Sequence, residues 1–277
     1  MRAKFIDVSG ISTRYLYEGE NNDQALLLIH GGGVAADTWL RNIDPLGQEF
    51  AIYAPDNVGH GFTDSIELGN DLPQPHTTRH LIDFMDTIGI DRFSVGGSSY
   101  GALIAGLLYF EVPHRIEKLI LVGSSSVFDS DENYRKALQG AYDNAAKTIG
   151  NPDLAACRRR MNNAVHDPST VPEELLIMQL TQYAKPDRVE FYVNANRNRF
   201  QAEGPIGYRI KGKLEEIEVP TLVITGKQDK RTNWENTEIE AKRIPDARCV
   251  TIDQCGHLPY VEKSQEFNKL VTDFLRR

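Results

Sequence analysis

Five residues, Gly97-Ser98-Ser99-Tyr100-Gly101, stand between a short apolar run, Phe93-Ser94-Val95, and a small-residue helical stretch, Ala102 to Leu108. A G-x-S-x-G that leaves a strand and enters a helix is a turn so tight that side-chain carbons at its two glycines would collide with the neighbouring strand and helix. Its serine is held in a strained conformation with the hydroxyl exposed. Ser99 is therefore the candidate nucleophile. Ser98 is out of register, because two residues beyond it stands Tyr100, where the turn needs glycine. Taken alone, the pentapeptide reads equally well as a Gly/Ser-rich loop without chemistry, and the rest of the chain decides between the two.

A hydroxyl is a poor nucleophile at neutral pH, so it needs a base in reach and a carboxylate to orient that base. On an elbow of this kind the acid follows the serine along the chain and the histidine follows the acid. Of the downstream histidines, His114 comes just after Pro113, and His166 lies in the turn-like Val165-His166-Asp167-Pro168. His257 follows the β-like run Arg248 to Ile252 and then Gly256, which puts it on a loop at a strand's carboxyl end, where open α/β sheets keep their chemistry. Thr221 to Thr225 reads as a strand buried on both faces, and Gly226-Lys227-Gln228-Asp229 leaves its carboxyl end. Asp229 is the preferred acid. Asp129, after the earlier run Leu119 to Val122, is the competitor, and Asp253 reads as a turn residue.

His30-Gly31-Gly32-Gly33 follows the apolar run Ala25 to Ile29. Attack on a carbonyl leaves negative charge on its oxygen, and backbone N–H groups aimed there stabilise it with little reorganisation. The expected donors are the N–H of Tyr100 and one from Gly32 or Gly33. A phosphate cradle is not expected. G-x-G-x-x-G fails at Ala36, and no G-x-x-x-x-G-K-[ST] occurs.

Strand-like runs at 25 to 29, 51 to 54, 93 to 95, 119 to 122, 221 to 225 and 249 to 252 alternate with helical patterns, as in a mostly parallel sheet covered on both faces. Leu81, Ile82, Met85 and Ile88 mark one amphipathic helix ending at Gly89, and Phe267, Leu270, Val271, Phe274 and Leu275 mark the last. Between about 126 and 213 the rhythm breaks into polar helical segments punctuated by Pro152, Pro168, Pro172, Pro186 and Pro205. So long a stretch without structure is improbable in a compact domain. The expectation is a core of 1–125 and 214–277 with a helical lid over 126–213, roofing the nucleophile and excluding water.

These elements together resemble the α/β-hydrolase superfamily over nearly the whole chain. Within it, HGGGVAADTW at His30 to Trp39, APDNVGHGFTD at Ala54 to Asp64, RHLIDFMDTIGID at Arg79 to Asp91 and CGHLPYVEKSQEFN at Cys255 to Asn268 resemble the meta-cleavage product hydrolases. Those enzymes split a carbon–carbon bond in 2-hydroxy-6-oxo-dienoates. The resemblance implies a mostly parallel eight-stranded sheet with helices on both faces and the lid inserted after strand six. It also implies substrate contacts at three positions where this chain departs from the family's habit. Ser98 stands where asparagine is usual, Leu258 where tryptophan is usual, and Gln179 where an arginine of the lid is usual. Trp39, Phe128, Tyr183, Phe191, Tyr192 and Phe200 are further pocket candidates, although aromatic residues at helical spacing usually pack as core. Arg197 or Arg199 could hold a substrate carboxylate through its fork of donors in place of the arginine missing at 179.

At 277 residues, 40% hydrophobic and 25% charged, the chain can bury a full core, and its net charge of -8 argues against nucleic acid and anionic membranes as partners. Arg158-Arg159-Arg160 reads as a solvated helix face, and His60 as a turn residue. Cys157, Cys249 and Cys255, an odd set without C-x-x-C spacing, fit a reducing compartment. Neither a signal-peptide apolar region nor a membrane span of about 20 residues is evident, so a cytoplasmic location is expected. No metal and no cofactor is expected, since no metal-ligand spacing appears. The expected partner is a small-molecule substrate, with self-association into a homo-oligomer left open. The expected reaction is hydrolysis of a carbon–carbon bond in a dienoate-like vinylogous diketone. A carboxylic ester hydrolase or lactonase is the alternative within the class, and a receptor-like binding protein with slow turnover the alternative outside it. Lyase or cofactor-free oxygenase chemistry by the same triad stays open as well.

Overall fold

The computed structural model describes residues 1–201 and 208–277; residues 202–207, with Pro205, fall outside the described residues. Eight strands form one sheet: β1 (Arg2–Val8), β2 (Ile11–Glu18), β3 (Ala25–Ile29), β4 (Ala51–Pro55), β5 (Phe93–Ser98), β6 (Ile116–Val122), β7 (Thr221–Gly226) and β8 (Ala247–Ile252). Their order is β1-β2-β4-β3-β5-β6-β7-β8. The pairs β1–β2 and β2–β4 are antiparallel and the rest parallel. The strands β1 and β2 were not marked by an apolar run: β1 is an edge strand whose residues are mostly exposed, and β2, although mostly buried, carries the polar residues Ser12, Thr13 and Arg14 in its first half.

Strands β3, β4, β5 and β7 are buried from end to end because both faces are covered, whereas β8, at the other edge, is only partly buried. In β3, Leu27 and Ile29 pack on one side with Phe84 and Met85 of α1 (Pro73–Thr87) and Leu103 of α2 (Tyr100–Glu111). Leu26 and Leu28 pack on the other with Trp39, Phe267 and Val271. After β3 the chain moves outward to β4, then returns to place β5 on the other side of β3. The connections leaving β3 and β5 therefore diverge, which opens a crevice at their carboxyl ends. The loop His30 to Gly33 and the turn at Ser99 leave those two ends.

Between β6 and β7 the described residues form four helices of eight or more residues, α3 (Asp131–Asn144), α4 (Leu154–Asn162), α5 (Glu173–Tyr183) and α6 (Arg188–Gln201). They are fastened to loops at the carboxyl edge of the sheet: Arg160 of α4 and Tyr183 of α5 donate to the carbonyls of Gly32 and Gly33, and Asn198 of α6 to those of Gly69 and Asp71. Val127, Phe128 and Ile210, near the two ends of this stretch, are buried in the core of the sheet itself. Helices α7 (Trp234–Ala241) and α8 (Ser264–Leu275) complete the fold. Among the described residues no helix is long and apolar enough to cross a membrane, and Cys157, Cys249 and Cys255 carry free thiols.

One buried group makes the fold sensitive to acid. His80 of α1 is 4% exposed, its Nε2 lies 2.8 Å from Thr13 Oγ1, and burial pushes its pKa down to about 4. The unfolded chain takes up this proton near pH 6.5 and the folded one near pH 4, so stability is full above 6.5 and falls as pH drops through that window. The loss from this group amounts to about 2 kcal/mol by pH 5. Urea unfolding of the parent and of His80→Gln at pH 7 and pH 5 measures it. The variant should lose about 2 kcal/mol less than the parent, and equal losses would mean that His80 takes its proton in the folded state.

Candidate active site

The elbow is built by close approach. A Cβ at Gly97 would stand 2.1 Å from the Gly101 carbonyl oxygen, and one at Gly101 would stand 2.2 Å from that of Ile29, so neither position accepts a side chain. Ser99 sits between them at φ 55°, ψ -113°, a conformation costing on the order of 1–3 kcal/mol that persists only where its surroundings hold it. Two hydrogen bonds do so: Ser99 N–H donates to Val122 O at 2.8 Å, and Ser124 Oγ donates to Ser99 O at 2.8 Å.

His257 and Asp229 meet across two loops. Nδ1 of His257 lies 2.7 Å from Asp229 Oδ2, with the two side chains 3% and 0% exposed. Asp229 Oδ1 is taken by Arg231 N–H at 2.7 Å, which fixes the carboxylate plane. A carboxylate on Nδ1 holds the proton there and leaves Nε2 as an acceptor. Nε2 is buried and without a hydrogen-bond partner among the described residues, and His257 and Ser99 line the same cavity. The hydroxyl and the imidazole are thus placed together without being bonded. Catalytic hydrogen bonds of empty sites are often loose in this way and tighten with substrate.

The histidine loop is pinned on its far side, with His257 N–H donating to Ala164 O at 2.7 Å and Gly256 N–H to Glu262 Oε1 at 2.7 Å. His114 and His166 lie away from the cavity. Asp129, the competing acid, is buried and accepts a 3.4 Å hydrogen bond from Asn236, and burial raises its pKa.

The glycine loop is oriented by its carbonyls. Arg160 donates to Gly32 O at 2.9 Å and the Tyr183 hydroxyl to Gly33 O, while the N–H groups of Gly32, Gly33 and Tyr100 have no acceptor among the described residues. A buried cluster anchors the chain beyond Gly33: Asp56 pairs with Arg14 at 2.7 Å and accepts from Ala36 N–H at 2.8 Å. Free N–H groups beside a part-buried serine can receive the charge of an oxyanion.

Ser99, Tyr100, Gly32, Gly33, Asp229 and His257 all line one cavity of about 710 Å³, within the size range of small-molecule sites. The expected substrate contacts fare differently, since none of Ser98, Trp39, Phe128, Gln179, Arg197 and Leu258 is among its lining residues. Trp39 is fully buried, its ring 4.1 Å from that of Tyr260, and Phe128 and Leu258 are core as well. Ser98 ends β5 fully buried, because side chains alternate along a strand and Ser99 takes the open side. Gln179 is turned to Gly33 O and Met161 Sδ. Arg197 and Arg199 diverge by two helical steps, and only Arg199 lines the cavity, over the Tyr100 ring at 4.7 Å.

His60 and Arg160 both depart from expectation. His60 is in its turn, with N–H bonded to Asn57 O, but it also lines the cavity, where burial and the nearby His30 hold its pKa well below the usual histidine value. Arg158 and Arg159 do face solvent, whereas Arg160 is 9% exposed and lines the cavity, with Arg231 close by on the loop after Asp229. The roughly 100° step of a helix separates Arg160 from its two neighbours, a signal present in the spacing to buried Ala156 and Cys157.

A family model described as the alpha/beta hydrolase fold matches residues 24–264. The chain is 29% identical to a 2-hydroxy-6-oxononadienedioate/2-hydroxy-6-oxononatrienedioate hydrolase of Burkholderia vietnamiensis, over 99% of this chain and 96% of that protein. It is 27% identical to a 2-hydroxy-6-oxo-6-phenylhexa-2,4-dienoate hydrolase of Comamonas testosteroni, over 98% and 93% of the two. Among solved structures, a meta-cleavage product hydrolase from Pseudomonas fluorescens superimposes with a TM-score of 0.80 at 25% identity, covering 99% of this chain and 97% of that one.

Proposed function

The chain belongs to the α/β-hydrolase fold family, and from that premise we propose that it is a serine hydrolase cleaving a carbon–carbon bond of a 2-hydroxy-6-oxo-dienoate-like acid. The observation that carries the chemistry is the Asp229–His257 pair, 2.7 Å apart, on the cavity that Ser99 also lines. In this reading His257 Nε2 takes the Ser99 proton as Oγ attacks the 6-oxo carbon. The oxyanion then lies against the N–H groups of Tyr100 and of Gly32 or Gly33. The enol at C2 first tautomerises, its O–H proton moving to C5. The bond between C5 and C6 then breaks with its electron pair drawn through C3=C4 into the C2 ketone, and His257 returns the Ser99 proton to the resulting dienolate. Water, activated by the same imidazole, releases the acyl group from Ser99. No metal or cofactor enters these steps. The helical stretch between β6 and β7 acts as the lid, its Arg160, Tyr192 and Arg199 closing the cavity from above Ser99 and keeping bulk water out.

The dienoate part of the reading is supported by relatives of that activity matched over nearly their full length, and by guanidinium groups in the cavity suited to an acidic substrate. It is tested by comparing kcat/KM for a 2-hydroxy-6-oxo-dienoate with that for short aryl and alkyl esters in one buffer. The dienoate should reach roughly the 10⁴ M⁻¹s⁻¹ range typical of a working enzyme and exceed the esters. Turnover of esters alone would leave a carboxylesterase with the same triad.

A further inference from the structure

Three arginines line the cavity, and none of them has a carboxylate partner among the described residues. Arg160 donates to Gly32 O at 2.9 Å, Arg231 reaches only Arg160 O at 3.5 Å, and Arg199 touches the Tyr134 hydroxyl at 3.4 Å. The Nε atoms of Arg160 and Arg199 are buried and unpartnered. Elsewhere among the described residues buried arginines have a carboxylate beside them: Arg14 lies between Asp37 and Asp56, Arg115 bonds Asp86, and Arg188, although its Nε and Nη1 make no hydrogen bond, stands 3.6 Å from Asp187. A buried charge without a partner is costly, and arginine is almost never buried that way.

Arg231 differs from the other two in being solvent-accessible. Its surface is accessible, yet protein surrounds it, because the space it faces is the cavity. Burial, and then the like charge of Arg160, pull its pKa down to about 10, so Arg231 stays cationic at neutral pH in the field of a second guanidinium. The Asp229 carboxylate nearby is already engaged by His257 and by a backbone N–H. An anion bound between the two guanidinium groups would relieve the repulsion and fill their open donor positions. Such a position adjoins the Gly32 carbonyl, beside the expected oxyanion donors. Arg199 stands on a different wall, between the Tyr100 ring and the Tyr134 hydroxyl. In a chain of net charge -8 this local excess of cations is a property of the cavity.

Resting on the reading of the cavity as a site for acidic dienoates, we propose that Arg160 and Arg231 form a two-guanidinium clamp for one substrate carboxylate and that Arg199 anchors a second. The preferred substrate is then a dicarboxylate. The planar fork of arginine suits a carboxylate through two parallel hydrogen bonds, and two forks side by side accept both of its oxygens. Selectivity for the diacid over a monoacid resides in Arg199, because the first carboxylate is common to both.

The test is binding to Ser99→Ala protein, which does not require turnover, followed by calorimetry. The probes are 2-hydroxy-6-oxononadienedioate, 2-hydroxy-6-oxo-6-phenylhexa-2,4-dienoate and inorganic phosphate. The diacid is expected to bind at least about tenfold more tightly than the monoacid. Adding Arg199→Met should remove most of that difference, whereas Arg160→Met or Arg231→Met should weaken both acids by at least about tenfold. Arg231→Lys, which keeps a charge but loses the fork, should fall between. Equal affinity for the two acids, or equal losses at Arg199 and Arg231, would overturn the assignment, and phosphate binding more tightly than the diacid would reassign the clamp to phosphate. Diacid binding in this pattern with no cleavage by the parent enzyme would sink the carbon–carbon reaction and leave the clamp standing.

Discussion

Ser99→Ala should fold as the parent does and lose turnover by about 10⁶-fold, the loss seen when a serine triad is deprived of its nucleophile. The turn does not depend on the hydroxyl. It is held by the absence of side chains at Gly97 and Gly101 and by the Ser99 backbone bonds to Val122 and Ser124, all of which alanine leaves in place. What remains is the catalysis that oriented N–H groups supply to attack by water. Thermal unfolding within a few degrees of the parent, together with the rate loss, is the expected pair of measurements. A fluorophosphonate should label Ser99 in the parent and nothing in the variant. Mass spectrometry that placed the adduct on Ser98, or an active Ser99→Ala beside a dead Ser98→Ala, would show the register to be wrong.

Asp229→Asn should lower kcat by about 10⁴-fold with little change in fold. The carboxylate accepts from His257 Nδ1 at 2.7 Å, and an amide in its place can turn its NH₂ toward that nitrogen. The ring proton then moves to Nε2, which can no longer accept from Ser99. Asp129→Asn should cost less than about tenfold, since Asp129 accepts from Asn236 and His257 is already served by Asp229. The opposite ranking would transfer the orienting role to the carboxyl after β6. The comparison is informative because both carboxyl groups are buried beside the same cavity, so a loss at only one reports contact with the imidazole rather than proximity to the site.

The parts of the site legible in the sequence are those tied to strand ends by local sterics. Ser99 is marked by two glycines that no side chain can replace, Asp229 and His257 by their places just after buried strands, and the glycine loop by the apolar run before it. Each of these signals is local, because the backbone around the residue already states its geometry. The sheet was legible for a related reason, since strands covered on both faces are largely apolar, and the N-terminal pair escaped notice because β1 is an exposed edge and β2 carries Ser12, Thr13 and Arg14 in its first half. Tertiary structure alone decided what faces the substrate. Trp39, Phe128 and Leu258 are apolar residues near the site in sequence, and packing turned all three into the core, where burial of apolar surface is worth most. The cavity's arginines come from three separate places, α4, α6 and the loop after β7, and were legible as a group from none of them. A charge on a helix or a loop carries no local sign of whether it meets water, a partner or an empty cavity, and only the folded chain brings Arg160, Arg199 and Arg231 around one space.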